Sequence, residues 1–288
     1  MIYLCLIIPI LQRLKNQPVL HPVYFFNKRS SASDALHLLV QHGFEFCSFS
    51  VYDSNNKEVN AWAMYESKTP LTESLVKDIT AKQEWLVQSF QSVTIVDYTP
   101  QNTWIPESFA KEGTETALLD LITGSRAQTV TLKDSTDNAV NFYHVDAAVY
   151  AVLNHQFANA QWMHHETLVM KRPAAEEAVI TVEIWFHSIV LFAEHKGEWL
   201  LLQHRLYQTP QDVLYYVLNC KQQWNMGDEV IVRLQGMVEQ QSALYQLLHQ
   251  YILNLKINSE LVFTYPGNTS DIPNHTKQLV DRILTCVS

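Results

Sequence analysis

VITVEIWFHSIVLFAEHKGEWLLLQHRLYQTPQDVLYYVLNCKQQWNMGDEVIVRLQG, residues 179–236, is the stretch whose reading decides the fold. Val179 to Phe186 alternates β-branched and polar residues, and Ile189 to His195 is a second apolar run. Lys196-Gly197 reads as a turn, and Glu198 to Tyr207 as a third strand, so the segment begins as a three-stranded meander. Thr209-Pro210-Gln211-Asp212 then opens a helix, with a capping hydroxyl, a proline at the position that needs no N–H, and an acid at the third. Val213, Val217, Cys220 and Trp224 form its apolar stripe, and Glu229 to Leu234 is a further strand ending at Gly236.

The same order occurs upstream. Leu36 to Val40, Phe44 to Tyr52 and Glu58 to Tyr65 read as three strands joined by turns at His42-Gly43 and Asp53-Ser54-Asn55-Asn56. Thr69-Pro70 precedes a helix running to Phe90, with Leu75, Ile79, Leu86 and Phe90 on one face, and Val93 to Val96 follows as a strand. The two Thr-Pro pairs occupy the same place in each half, which points to a duplicated unit despite little residue identity between the copies. Helix, strand and helix complete the second copy: Glu239 to Ile252, Leu255 to Ile257 with Leu261 to Tyr265, and Lys277 to Val287. That order is the one of a ribonuclease H-like domain, met twice, so the expected class is α/β with mixed sheets in two ribonuclease H-like lobes.

The lobes are expected over residues 35–172 and 178–288, joined by Lys171-Arg172-Pro173-Ala174-Ala175-Glu176-Glu177, with residues 1–34 as a lead-in. Residues 98–143 read as an insertion in the first lobe. Within it, Trp104-Ile105-Pro106-Glu107 leads into a helix to Ile122, and Thr129 to Leu132 with Val140 to Tyr143 makes a hairpin. Val145 to Phe157 resumes as a helix, and Trp162 to Met170 as a strand.

At 288 residues and 47% hydrophobic, the chain can bury two ordinary cores. Its net charge of −9 excludes a long-range basic field for nucleic acid or anionic lipid, and seven glycines leave little material for a phosphate-cradling loop. Cys5, Cys47, Cys220 and Cys286 lie far apart without metal spacing and read as free thiols of a reducing compartment. Met1 to Leu11 is apolar but about half the length of a transmembrane helix, and its positive charges, Arg13 and Lys15, follow the apolar run instead of preceding it as in a secretory signal. The expected location is the cytoplasm, with no membrane and no nucleic-acid partner.

Several stretches resemble a bacterial family catalogued as domain-of-unknown-function family 3822, whose members have the actin-like ATPase fold. They are Tyr207 to Asn219 (YQTPQDVLYYVLN), Leu234-Gln235-Gly236, and Ser242 to Leu248 (SALYQLL). Weaker echoes are Ile105 to Phe109, and His155-Gln156-Phe157 leading to His164-His165. The resemblance covers roughly residues 35–288 and implies the two-lobed fold but no activity.

It also implies where a ligand would sit. In actin-like ATPases the nucleotide lies between the lobes: an Asp-x-Gly turn in each lobe grips phosphates or metal through backbone N–H groups and a carboxylate, and a Gly-Gly pair admits adenosine. Here the first turn, Val40-Gln41-His42-Gly43, keeps one glycine and lacks the acid. The second, Phe186-His187-Ser188-Ile189, has neither, and the adenosine position, Gln235-Gly236-Met237, keeps one glycine. Candidate cofactor-contacting residues are thus His42, Gly43, His187, Ser188 and Gly236, for ATP with magnesium if it binds at all. Glu183 lies about two residues too early to replace the missing acid.

No Gly-x-Ser-x-Gly elbow, His-Glu-x-x-His or Walker lysine loop is present, so no catalytic residue is named. His164-His165-Glu166 is the sharpest metal-like cluster, but neighbours on a strand face opposite ways and cannot chelate one ion, so no metal site is expected. Asp53, Asp97 and Glu183 would have to converge for nuclease or phosphotransferase chemistry, and their strand phases do not favour it. Among the tryptophans, Trp104 is the candidate exposed partner contact. The preferred expectation is a catalytically silent scaffold or regulatory protein acting through an unidentified protein partner. The alternatives are a nucleotide-binding switch without efficient turnover and, behind it, a metal-dependent nuclease or phosphotransferase.

Overall fold

The computed structural model describes residues 22–28, 36–110, 113, 115–124 and 128–288. The apolar start Met1–Leu11, Cys5 and most of the lead-in lie outside the described residues. The first half contains β1 (Tyr24–Asn27), β2 (Leu36–His42), β3 (Phe46–Asp53), β4 (Glu58–Glu66), α1 (Glu73–Lys82), β5 (Ser92–Asp97), β6 (Asn102–Pro106), α2 (Glu115–Thr123), β7 (Thr129–Ser135), β8 (Ala139–Asp146), α3 (Ala147–Gln156), β9 (Gln161–His164) and α4 (His165–Met170). The second contains β10 (Val179–Ile184), β11 (Ser188–His195), β12 (Glu198–Leu206), α5 (Pro210–Gln223), β13 (Ile231–Gly236), α6 (Ala243–Tyr251), β14 (Leu255–Ile257) and α7 (Asn274–Val287).

Two mixed sheets organise the molecule, ordered β1-β4-β3-β2-β5-β9 and β12-β11-β10-β13-β14. Leaving β1 aside, the five strands of each sheet follow one order and one pattern: the first three antiparallel, the last two parallel to the first. This is the mixed α/β, two-lobed actin-like architecture. Tyr24–Asn27, read as lead-in, pairs with Ala61–Met64 and extends the first sheet. A separate three-stranded sheet, β6-β8-β7, rises from the first lobe with α2 against it.

Side chains divide by strand parity into layers. One face of the first sheet packs on α1 and α3 through Leu38, Val40, Phe49, Ile79, Val149 and Leu153. One face of the second packs on α5 and α6 through Ile180, Val182, Val213, Val217 and Leu248. The opposite faces meet around a central core that joins Leu39, Phe46 and Trp62 to Trp185 and Phe192, sealed by Leu168 of α4 and by Leu279, Val280, Ile283 and Leu284 of α7. The lobes are also stitched by main chain: Val59 N donates to Thr264 O at 2.9 Å and Thr264 N to Lys57 O at 2.8 Å.

Several expectations are corrected. Thr69-Pro70 does not start a helix; Thr72 caps α1 through Leu75 N, so only Thr209-Pro210 has the capping box and proline start. The helix stops at Lys82 instead of Phe90, because Gln83 turns away and its side chain bonds Tyr65 and Trp85. Trp104-Ile105-Pro106, read as the approach to a helix, lie in the strand Asn102–Pro106, which pairs with β8. Val145 belongs to β8, since Asp146 caps α3 by accepting from Ala148 N and Val149 N, each at 3.0 Å. Trp162 to Met170 is not one strand: the His164 side chain accepts from Glu166 N and turns the chain into α4. Leu261–Tyr265 yields only a bridge at Thr264. Trp224, expected inward, is the exposed C-cap of α5. No helix among the described residues is long and apolar enough to cross a membrane.

Candidate functional site

The turns of the β2–β3 and β10–β11 hairpins face each other at one end of the central core. With the loop after β5 and the end of β12 they enclose a cleft of about 210 Å³. Its walls are mainly aromatic: Phe44 and Phe46 from the first turn, Tyr98 after β5, Trp185 and Phe186 from the second turn. Phe46 and Trp185 stack with centroids 4.1 Å apart at 15°, and Tyr98 meets both edge-on. Both turns are held from behind. Gly43 N donates to Phe46 O, Ser67 N to Glu45 O and Leu71 N to Phe44 O, while Tyr207 Oη donates to the carbonyls of Trp185 and Phe186 at 3.0 and 3.2 Å. Phe44 and Leu206 stand exposed at the mouth.

Of the predicted site residues, His187 and Ser188 line this cleft. His187 Nε2 reaches across to Glu66 Oε1 of the other lobe at 3.4 Å, and Ser188 O accepts from Trp185 N. His42, Gly43 and Gly236 do not line it. His42 is buried, with Nδ1 2.8 Å from Asp97 Oδ2. A β-carbon on Gly43 would strike the Phe46 ring, so glycine there serves the turn. Gly236, at φ +95°, lies against the Ile184 carbonyl and Leu279, and its own carbonyl accepts from Thr276 Oγ1.

The three candidate acids are engaged, and Asp53 lies at the far end of β3 from the cleft. Asp97 holds His42 and accepts from Thr99 N, and Asp53 caps its own turn through Asn55 and Asn56. Glu183 is buried, accepting from Gln235 Nε2 at 2.7 Å, with Arg282 Nη1 at 3.4 Å and His165 Nε2 at 3.1 Å. Burial pushes its carboxyl up, but His165, Arg282 and Gln235 outweigh burial and hold it below the ordinary range. His165 also stacks on Tyr98, whose hydroxyl is driven upward by burial and by Glu183. Asp53, Asp97 and Glu183 therefore serve three separate structures, and no group of three metal-ligating side chains occurs among the described residues.

Two expectations about the insertion change. Trp104 is half-buried rather than exposed, its indole N–H donating to Glu166 Oε2 at 2.9 Å beside Asn102 Nδ2 at 2.7 Å. The His164-His165-Glu166 triplet is divided by the strand-to-helix junction: His164 bonds Thr99 O, His165 faces Glu183, and Glu166 anchors the small sheet. His155 stays exposed on α3.

Sequence reading missed Phe46, Trp185, Tyr98 and His204 as cleft walls. The signal was there: each hairpin turn carries an aromatic pair, Phe44/Phe46 and Trp185/Phe186. Trp185 Nε1 and His204 Nδ1 are buried without a hydrogen-bond partner, each an unmet polar group worth roughly 1–3 kcal/mol. Burial first, then His164 and His165, drives His204 down to about 3, so it stands neutral.

A family described as "Protein of unknown function (DUF3822)" matches residues 27–255. The chain belongs to the DUF3822 family. This DUF3822 chain is similar to a Bacteroides thetaiotaomicron protein described as having an actin-like ATPase fold and unknown function, with TM-score 0.70 and 20% identity over 88% of this chain and 97% of that one. It is similar also to the PilM–PilN type IV pilus biogenesis complex, with TM-score 0.51 and 11% identity over 89% and 97%. A third is the ethanolamine utilization protein EutJ of Carboxydothermus hydrogenoformans, with TM-score 0.50 and 10% identity over 91% and 92%. At these identities the likeness is one of fold. No curated protein matches the DUF3822 chain in sequence.

The hairpin residues do not fit a magnesium nucleotide held in the manner of that fold. Between the turns, where phosphates would approach backbone N–H groups, the Phe46 and Trp185 rings are already in contact, and the adjoining carboxylates Asp97 and Glu183 are committed to histidine and arginine.

Proposed function

We propose that this DUF3822 protein is a non-catalytic scaffold or regulatory protein of the cytoplasm that works by binding another protein at the mouth of the interlobe cleft. The observation that carries the reading is the Phe46–Trp185 stack, which joins the two hairpins where an actin-like ATPase would separate them around phosphates. A fold supports many functions, and it is the residues at the turns, not the architecture, that favour partner binding. The cleft offers what a partner segment needs: exposed apolar groups at Phe44 and Leu206, with aromatic walls behind them. An apolar side chain of a partner segment would fit between Phe44 and Leu206 against those walls. The PilM–PilN neighbour is a two-protein complex by its name, which agrees with use of this fold for partner binding.

The test has two arms. Purified protein is titrated with ATP, ADP and GTP plus magnesium while turnover and thermal unfolding are followed. The expected result is neither turnover nor stabilisation, whereas binding at about a hundred times the dissociation constant would add about 2.7 kcal/mol. Stabilisation without turnover that His187→Ala abolishes would replace the scaffold reading with the nucleotide-binding switch. In the second arm, a photocrosslinker placed at Phe44 or Leu206 in the host should give one discrete protein adduct, absent from a crosslinker on the exposed face of α1.

A further inference from the structure

A second pocket, of about 370 Å³, lies on the inner face of the second sheet beside α7. Thr181 of β10 and Arg233 of β13 are paired neighbours on its floor, Arg282 enters from α7, and Arg172 from the segment after α4. Three arginines from distant parts of the chain thus line one concavity.

Their remaining hydrogen-bonding capacity is unspent. Arg172 gives both terminal nitrogens to Glu194, at 3.0 and 2.6 Å, and lies 4.4 Å over the Trp199 ring, which fixes its plane. Arg282 gives Nη1 to Glu183 at 3.4 Å and lies 4.6 Å over Phe192. Arg172 Nε and Arg282 Nη2 are both buried with no acceptor. Arg233 has no ion-pair partner among the described residues. The acids in the wall do not answer these donors: Asp281 accepts from Val262 N and Phe263 N at 2.9 and 2.8 Å, and Glu260 is exposed at the rim.

We propose that this pocket binds a phosphate-class oxyanion carried by a small ligand, held by Arg172, Arg233 and Arg282. The planar forks of arginine match tetrahedral and carboxylate oxygens, and guanidiniums stacked on rings are held in place before the ligand arrives. An oxyanion beside Arg233 would bring acceptors toward Arg172 Nε and Arg282 Nη2, the donors left over from the pairs with Glu194 and Glu183. The pocket has room beyond the anion for a short organic group.

The full chain is titrated calorimetrically with inorganic phosphate at constant ionic strength, with glycerol phosphate and acetate in parallel. The expected result is saturable phosphate binding that Arg233→Gln weakens by about tenfold or more, the loss of one charge-assisted contact. Arg233→Lys should keep part of it. Because Arg233 has no ion-pair partner, these variants should fold, and unchanged circular dichroism confirms it. Tighter binding of glycerol phosphate identifies a phosphate ester as the ligand, and equal affinity identifies inorganic phosphate. Absence of saturable binding, a preference for acetate, or equal affinity in Arg233→Gln overturns the proposal.

Discussion

The ring of Phe46, from the first lobe, lies flat against the ring of Trp185, from the second, at 4.1 Å between centroids. Each is at most 5% exposed, so the contact is a buried junction between the lobes. Phe46→Ala should cost about 3–5 kcal/mol in urea unfolding. Trp185→Phe keeps an aromatic face and removes an unsatisfied N–H, though it leaves the space of the second ring, so it should cost less than Phe46→Ala. Equal losses for the two would mean that the stack is not what joins the hairpins.

Gly236 is required by its surroundings. Its φ of +95° disfavours any side chain, and a β-carbon would lie 2.2 Å from the Ile184 carbonyl oxygen. Gly236→Ala should therefore destabilise by at least about 2 kcal/mol, from strain and overpacking together. A midpoint within error of the parent protein in denaturant titration would contradict this.

Glu166 ties the three-stranded sheet to the first lobe through Trp104 and Asn102. Trp104→Phe preserves the ring but withdraws one donor from a carboxylate that is 4% exposed. The expected cost is about 1–3 kcal/mol, accompanied by faster hydrogen exchange across β6–β8. Exchange rates that stay the same would show that the anchor lies elsewhere.

His204 predicts an acid sensitivity. Burial and its histidine neighbours lower its pKa from 6.5 to about 3. Between those values the unfolded chain binds a proton that the folded chain does not, so stability falls as pH drops through that window. The contribution is at most about 1.4 kcal/mol per pH unit. Asp134 and Asp281, raised chiefly by burial, act in the opposite direction, so the comparison must be between proteins. His204→Gln should flatten the fall of stability between pH 6.5 and 4 relative to the parent. Parallel curves would refute the assignment.

The strand order of both lobes was legible because β-branched alternation and turn residues at 53–56 and 196–197 are local signals. The Thr69-Pro70 pair misled because a dipeptide carries no information about which hydroxyl reaches an N–H; Thr72, three residues on, does so. Trp162 to Met170 was ambiguous because a short apolar run suits strand and helix alike, and the deciding contact, the His164 side chain on Glu166 N, involves a residue type rarely credited with capping. At the cleft, the turns could be located but not their contents. That Phe46 meets Trp185, or that His42 turns away toward Asp97, depends on how two separately folded sheets are pressed together. The arginine pocket is hidden for the same reason, its three guanidiniums lying 172, 233 and 282 residues along the chain.

The seal that α7 makes over both sheets sets a practical limit on dissection. The matched region ends at Leu255, yet Leu279, Val280, Ile283 and Leu284 beyond it are each at most 1% exposed, and Thr264 completes main-chain bonds at the edge of the first sheet. A fragment cut at Leu255 would bare the inward surfaces of two sheets at once and aggregate, so the last thirty-odd residues belong to the folding unit as fully as the region the family shares.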